Sequence, residues 1–413
     1  MTPATLARFT LLGTLYFAQG LPFGFFVQAL PVLLRTAGVS LGAIGLAGVL
    51  VLPWALKFLW APVVDRRWWP RLGRRRTWIL AMQLAGTLVL TAIAVVPGAE
   101  ALPALMAAML VLNLIAATQD IATDGLAVEL LPPAERGLAN GLQVAGYRVG
   151  MVVGGGVLLG AYETLGHRGA FGVMAVLTAL ASLPVLLTAE PRTVAPVGAP
   201  SAEPPPAASR VHFLRVPGAR RVLALIMIYK AGEALAQGML KPMLVDRGLT
   251  LADIAWVVGT VGFVAGMAGA LVGGALVGRL GRRRALVMFG VAQVVAVGGY
   301  AVLALGAAGF GALAAWTAVE HLASGMATAA LFTAMMDWSR PTASGTDYTV
   351  QASAVVIATG LAQGVSGVSA SALGYAAHFA LATALCVAAV VAVLGLFPRT
   401  RFPADEPVAG ARP

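Results

Sequence analysis

An all-α membrane protein of twelve spanning helices, built as two pseudo-symmetric halves of six, is what three observations in this 413-residue sequence imply. The chain is 59% hydrophobic and only 11% charged, where an ordinary soluble domain is about 25% charged. Apolar stretches of about 20 residues, long enough to cross a hydrocarbon core of about 30 Å, recur from end to end. The hexapeptide RLGRRR at 71–76 returns at 279–284, half a chain later.

The twelve spans are expected at 9–33, 42–62, 77–97, 102–126, 138–161, 169–188, 221–244, 252–276, 285–306, 310–336, 348–374 and 377–397. The first is too long for a signal-peptide core and no A-x-A site follows it, so it reads as a retained helix. Most arginines fall in alternate connections: Arg8, the group at 66–76, Arg136, the group at 192–221, the group at 279–284, Arg340, and Arg399, Arg401 and Arg412. The positive-inside rule then places both termini in the cytoplasm. It also accounts for the net charge of +11 without invoking nucleic acid. A single cysteine, Cys386, excludes an internal disulfide or a cysteine-cluster metal site.

The repeat extends beyond the hexapeptide. An offset of 208 also maps Gly137 to Gly345, Gln143 to Gln351 and Gly156 to Gly364, with an acidic exchange from Glu129 to Asp337. Six spans followed by six in the same orientation make a parallel repeat about an axis along the membrane normal. The halves are expected at 1–188 and 220–413, the second with a short cytoplasmic tail. Residues 189–219, which contain APSAEPPPAAS, read as a flexible or extended cytoplasmic linker.

Charges inside spans are expensive and so mark functional candidates. On the fourth span Asn113, Ala117, Asp120 and Asp124 follow steps of four, three and four and share one face. Lys57 on the second span and Arg148 on the fifth fall at a similar depth. Two readings stand: the cations neutralise both acids as a structural brace, or one acid is left to take up and release a proton. On the seventh span Tyr229, Glu233 and Gln237 recur every four residues, and Lys230 can pair with Glu233. On the tenth, Trp316, Glu320 and Ser324 recur likewise with His321 beside them, and Glu320 or His321 is an alternative proton site. On the first, Tyr16, Gln19, Phe23 and Phe26 offer aromatic and amide surface that suits either a large amphipathic ligand or helix packing. Gly146, Gly150 and Gly154 form a G-x-x-x-G ladder for close helix contact.

The duplicated six-span plan resembles the major facilitator superfamily, and further motifs narrow the resemblance. ALKFLWAPVVDR at 55–66, ATQDIATDGLAVELL at 117–131, ERGLANGLQVAGYRVGM at 135–151, YKAGEAL at 229–235 and EHLASGMATAALF at 320–332 look like the AmpG-type muropeptide permeases and their acetyl-coenzyme A transporter relatives. YFAQGLPFGFFVQALPVLLR at 16–35 and MMDWSRPTASGTDYTVQAS at 335–353 most resemble the siderophore importers of the RhtX/FptX type within that group. The resemblance implies that spans one, four, seven and ten line a central cavity. Tyr16, Gln19, Phe23, Asn113, Tyr229, Lys230, Glu233, Gln237, Trp316 and Glu320 then become cavity candidates.

In the superfamily the loop after the second helix carries a pattern like G-x-x-x-D-R-x-G-R-R and helps latch the halves. Here the first copy keeps Asp65 and Arg66 but separates them from Gly73, and the second has Gly278 in place of the acid. Glu129 and Asp337 end the fourth and tenth spans, so each is expected to pair with its own arginine loop. That gives a candidate cytoplasmic gate of Asp65, Arg74, Arg75, Glu129, Arg282, Arg283 and Asp337; plain topological anchoring is the other reading.

The functional expectation is a monomeric, proton-coupled secondary transporter working by alternating access. It would import a siderophore or similar mid-sized solute, with an anhydro-muropeptide as the alternative cargo. A membrane-embedded enzyme or a channel is a remote alternative. No nucleophile–base pair, H-E-x-x-H or Walker motif is present, so neither an enzyme nor an ATP-driven pump is expected. No cofactor or metal is expected.

Overall fold

The computed structural model describes residues 2–36, 38, 50–96, 101–188, 213–306 and 309–398. Most of the expected linker, the start of the second expected span and the tail beyond 398 lie outside these residues. Every described element is helical. Among the described residues, nine helical segments are long and apolar enough to cross a bilayer. The chain divides into two compact units: residues 1–130 with 142–210, and residues 131–141 with 211–413.

In the first unit, α1 (Pro3–Gly24) opens on Thr2, whose hydroxyl accepts the Thr5 N–H, with Pro3 in the first turn. Pro22 removes a donor within the helix, and the rod continues through a π-helical turn, Phe25–Ala29, into Leu30–Thr36. The second rod is broken. α2 (Leu52–Leu56) and the short helix Ala61–Arg66 each carry a proline in the first turn, and a 3-10 turn at Lys57–Leu59 lies between them. α3 (Arg74–Val95), α4 (Leu102–Leu130), α5 (Arg136–Met151), whose residues up to Gly141 belong to the second unit, and α6 (Tyr162–Leu180) follow. A second π-helical turn, Val152–Val157, extends α5. Helices α1 and α5 touch backbone to backbone: a Cβ at Gly20 would strike the Tyr147 carbonyl, at Gly150 the Phe17 carbonyl, and at Gly154 the Leu21 carbonyl.

In the second unit α7 (Ala219–Asp246), α8 (Phe263–Leu280), α9 (Arg282–Leu305), α10 (Phe310–Asp337) and α11 (Ser344–Leu396) run in order. α11 is two helices joined at Gly374, whose φ of 76° admits the sharp turn that a Cβ would resist. α10 is not among the nine apolar segments; it carries Glu320 and His321 mid-length, which lowers its hydropathy.

Beside its apolar cores the protein buries charges and exposes aliphatic side chains. Lys57, Asp120, Asp124, Glu233 and Glu320 are buried, while Leu84, Leu88, Val302, Leu361 and Val368 are well exposed. An outer surface of leucine and valine is stable against lipid, and the interior is where polar groups find partners.

Candidate functional site

Each unit holds a buried polar cluster at mid-helix. In the first, the α4 face of Asn113, Ala117, Asp120 and Asp124 is buried along its whole length. The proline-broken second rod brings Lys57 to it from the 3-10 turn. The Lys57 ammonium pairs directly with Asp120 Oδ2 and stands 3.9 Å from Asp124 Oδ2. Asp124 Oδ1 accepts the Tyr16 hydroxyl at 2.7 Å. One residue along, Gln19 donates to Thr123 Oγ1 at 3.1 Å. Trp54 closes the other end: its indole N–H donates to Asn113 Oδ1 at 3.1 Å, and its ring lies 5.6 Å from the Lys57 ammonium. Phe23 packs edge-on against Trp54 at 5.5 Å and also meets Tyr147 at 5.7 Å. Arg148 stands next to Tyr147, in the last turn of α5 and half-buried.

In the second unit Glu233 is the hub. Lys230 donates to its Oε2 at 2.5 Å and Gln293 to the same oxygen at 3.0 Å, while Ser324 donates to Oε1. Lys230 also donates to Thr328 at 3.2 Å. A helical turn away, Glu320 Oε2 accepts Gln237 at 2.6 Å and lies 2.9 Å from His321 Nδ1. The His321 ring packs where Gly262 leaves no side chain. Tyr229 turns away from the cluster and donates to the Leu286 carbonyl at 3.0 Å, and Trp316 donates to the Ala296 carbonyl at 2.7 Å. Both spend their polar atoms on helix α9.

The arginine loops are tied to acids at one end of each unit. Arg75, fully buried, bridges Asp65 Oδ1 and Glu129 Oε1 at 2.6 Å each, and Arg74 approaches the same two acids at 3.3 and 3.4 Å. Gly125 makes room: a Cβ there would sit 2.5 Å from the Arg75 guanidinium carbon. In the second unit Asp337 accepts Arg282 at 2.5 Å and Arg136 at 2.7 Å. Arg282 also donates to the Pro133 carbonyl at 2.6 Å. Arg283 reaches no acid among the described residues and donates instead to the Leu394 carbonyl at 2.8 Å.

Sequence reasoning missed three of these partners. Arg136 counted only as an inside charge, yet it takes the second oxygen of Asp337. The bidentate Arg340–Asp347 pair, at 2.7 and 2.8 Å, was not foreseen, although an acid seven residues after an arginine across a helix start is a readable pairing. Trp54 on Asn113 left no signal in spacing, because the two belong to different spans. Among the described residues no group of three metal-ligating side chains gathers.

Comparison with known proteins finds similarity to membrane transporters. Residues 8–102 match the family model described as "Acetyl-coenzyme A transporter 1", and residues 222–412 match "Major Facilitator Superfamily". The chain is 32% identical to the anhydromuropeptide permease of Escherichia coli K12 over 393 residues, 94% of this chain and 79% of that protein. It is 25% identical to the putative transporter AmpG 4 of Rickettsia conorii, over 81% of this chain and 83% of that one. Among solved structures it superposes on the human organic anion transporter MFSD10 with a TM-score of 0.73 at 15% identity, covering 95% of this chain and all of that one. That last likeness is one of fold.

Proposed function

The chain belongs to the family of the anhydromuropeptide permease, within the major facilitator superfamily, and from that premise we propose that it carries a muropeptide-type solute, a sugar bearing a short peptide, across a bacterial inner membrane. It is a secondary transporter of a small molecule and not an enzyme. The finer reading is twelve spans in two six-helix halves, both termini cytoplasmic, with alternating access coupled to protons. The kinship along nearly the whole chain is the single observation that carries the choice of cargo. It favours a muropeptide over the siderophore to which the 16–35 and 335–353 segments pointed. In the latter segment the polar groups are spent on one another: Arg340 on Asp347, and Gln351 on Ser339 and the Met335 carbonyl.

Within this reading the two aspartates divide the two roles left open by spacing. Asp120 is the brace, because it holds the direct contact with Lys57. Asp124 is the proton carrier, because its shortest contact is with a neutral phenol and its ion pair with Lys57, at 3.9 Å, is the longer of the two that Lys57 makes. Glu233, with donors on both oxygens, is held against Lys230 and offers the peptide part of the cargo a fixed acid–lysine pair. The acid–arginine clusters around Glu129 and Asp337 serve as gates.

Uptake into proteoliposomes tests the reading directly. Labelled anhydromuropeptide is expected to accumulate when a pH gradient is imposed, and a ferric siderophore is not. Accumulation of the siderophore alone would reverse the assignment of cargo, and accumulation indifferent to the gradient would remove proton coupling.

A further inference from the structure

We propose that the loop from Arg67 to Leu72 is a docking surface for the headgroup of an anionic phospholipid. Its residues are RWWPRL, and they form the insertion that separates Asp65 and Arg66 from Gly73. The repeat-equivalent residues in the second unit form no such loop: α8 runs on to Leu280, Gly281 makes the turn, and α9 begins at Arg282, whereas in the first unit the helix stops at Arg66. Closing the turn therefore does not explain why residues 67–72 leave the helix.

The loop is built and presented rather than slack. The Trp69 N–H donates to Thr77 Oγ1 at 3.1 Å, and the Trp78 indole N–H donates to the Arg67 carbonyl at 2.5 Å. Leu72 and Gly73 both donate to the Trp69 carbonyl, at 3.0 and 3.2 Å. Trp68 is held 5.8 Å beneath the Arg74 guanidinium. Yet Trp68 is 45% exposed and Trp69 60%, and Leu72 is exposed beside them. Two large indoles facing outward from a tied turn need a partner outside the protein.

What that partner is follows from the order of chemistry along the unit. Leu52, Leu56, Leu59 and Val63 recur at steps of four, three and four, and all are exposed, giving an apolar stripe down the second rod. The tryptophans come just past the end of that rod, and Arg67 and Arg71 flank them, both exposed. Hydrocarbon, then indole, then guanidinium is the sequence of environments met on leaving a bilayer: acyl chains, interface, phosphate. The neighbouring cations are already engaged: Arg74 and Arg75 on Asp65 and Glu129, Arg76 on the Leu186 carbonyl. Among the described residues Arg67 and Arg71 form no ion pair, and a guanidinium is shaped to take phosphate oxygens in pairs. Two uncompensated cations favour a headgroup with net negative charge over a zwitterionic one.

The test uses the full chain purified in detergent and titrated with phosphatidylglycerol or phosphatidylcholine, with bound lipid counted by native mass spectrometry. Phosphatidylglycerol is expected to bind more tightly, and Arg67→Gln/Arg71→Gln to weaken it about 30-fold, the loss for two surface cations near an anionic lipid. Arg279→Gln, the repeat-equivalent of Arg71, exposed in the last turn of α8 with no tryptophan beside it in sequence, is the control and should leave binding unchanged. Unaltered affinity in the double variant overturns the proposal; so does an equal loss in the control, which means attraction by any exposed arginine. A measurement on the unmutated chain removes dependence on folding of the variants. Brominated phosphatidylglycerol should quench tryptophan emission more than brominated phosphatidylcholine does, and equal quenching counts against the site.

Discussion

Replacing Lys57 with methionine keeps the stem that packs by Trp54 and removes the charge that serves both α4 aspartates. At 3.9 Å from Asp124, and with an effective dielectric of about 20, the gross attraction to that carboxylate alone is about 4 kcal/mol. Asp120 is in direct contact and loses at least as much. Part of this is returned because the ammonium no longer has to be dehydrated, so the net loss should match that of other broken buried pairs, about 3–5 kcal/mol. The second variant makes the test sharp: Lys57→Met/Asp120→Asn removes one charge of each sign and should recover most of the loss, since neutral replacement of a buried pair is often tolerated. Titration with denaturing detergent, followed by the emission of tryptophans that include Trp54 at the site, gives the midpoints. The reasoning fails if the single variant denatures with the parent, or if the double variant is no more stable than the single one.

Asp124→Asn should abolish gradient-driven accumulation in proteoliposomes yet retain exchange of solute at equal concentrations on both sides; loss of both would mean a structural role. Tyr16→Phe leaves Asp124 Oδ1 without its hydroxyl donor and should cost about 1–3 kcal/mol in the same denaturation assay. Gly125→Ala places a methyl against the buried Arg75 guanidinium and should displace it from Asp65 and Glu129, lowering stability by about 3 kcal/mol or more. Gly154→Ala drives a Cβ into the Leu21 carbonyl and should separate α1 from α5 at a cost of about 1–3 kcal/mol, read as a lowered midpoint.

The helical, membrane-crossing character of the chain was legible because each segment must satisfy its own backbone in lipid, which leaves a hydropathy record in the sequence. That record fades where function or proline intervenes. α10 carries Glu320 and His321, which lower its hydropathy, and the second rod breaks at Lys57–Leu59 between helices that carry a proline in the first turn. The site was legible as a list of charges, since a buried charge is costly wherever it lies. Its wiring was not, because spacing orders residues within one helix and is silent between helices. Hence the α4 stripe was readable from steps of three and four, while Trp54 on Asn113 and Arg136 on Asp337 were not.

The wiring also changes what the proposed duplication would mean. Positions 120 and 328 are repeat-equivalent, and one is an aspartate while the other is a threonine. In sequence this looks like an acid gained or lost by one half. In structure both positions receive a lysine ammonium, Asp120 from Lys57 on the second rod and Thr328 from Lys230 on α7. The lysines come from non-equivalent helices. The second half supplies its carboxylate from Glu233, one turn along the same helix as its lysine. What the two halves share is a cation held against the same point of the fourth and tenth helices; the acid that balances it has moved between helices. A charge needs its counter-charge nearby but does not specify which helix brings it, so duplicated halves can drift in sequence while the electrostatics at that point persist. On this argument the first half's arrangement is the distinctive one, because there a single lysine serves two carboxylates on one helix, in direct contact with the first and 3.9 Å from the second.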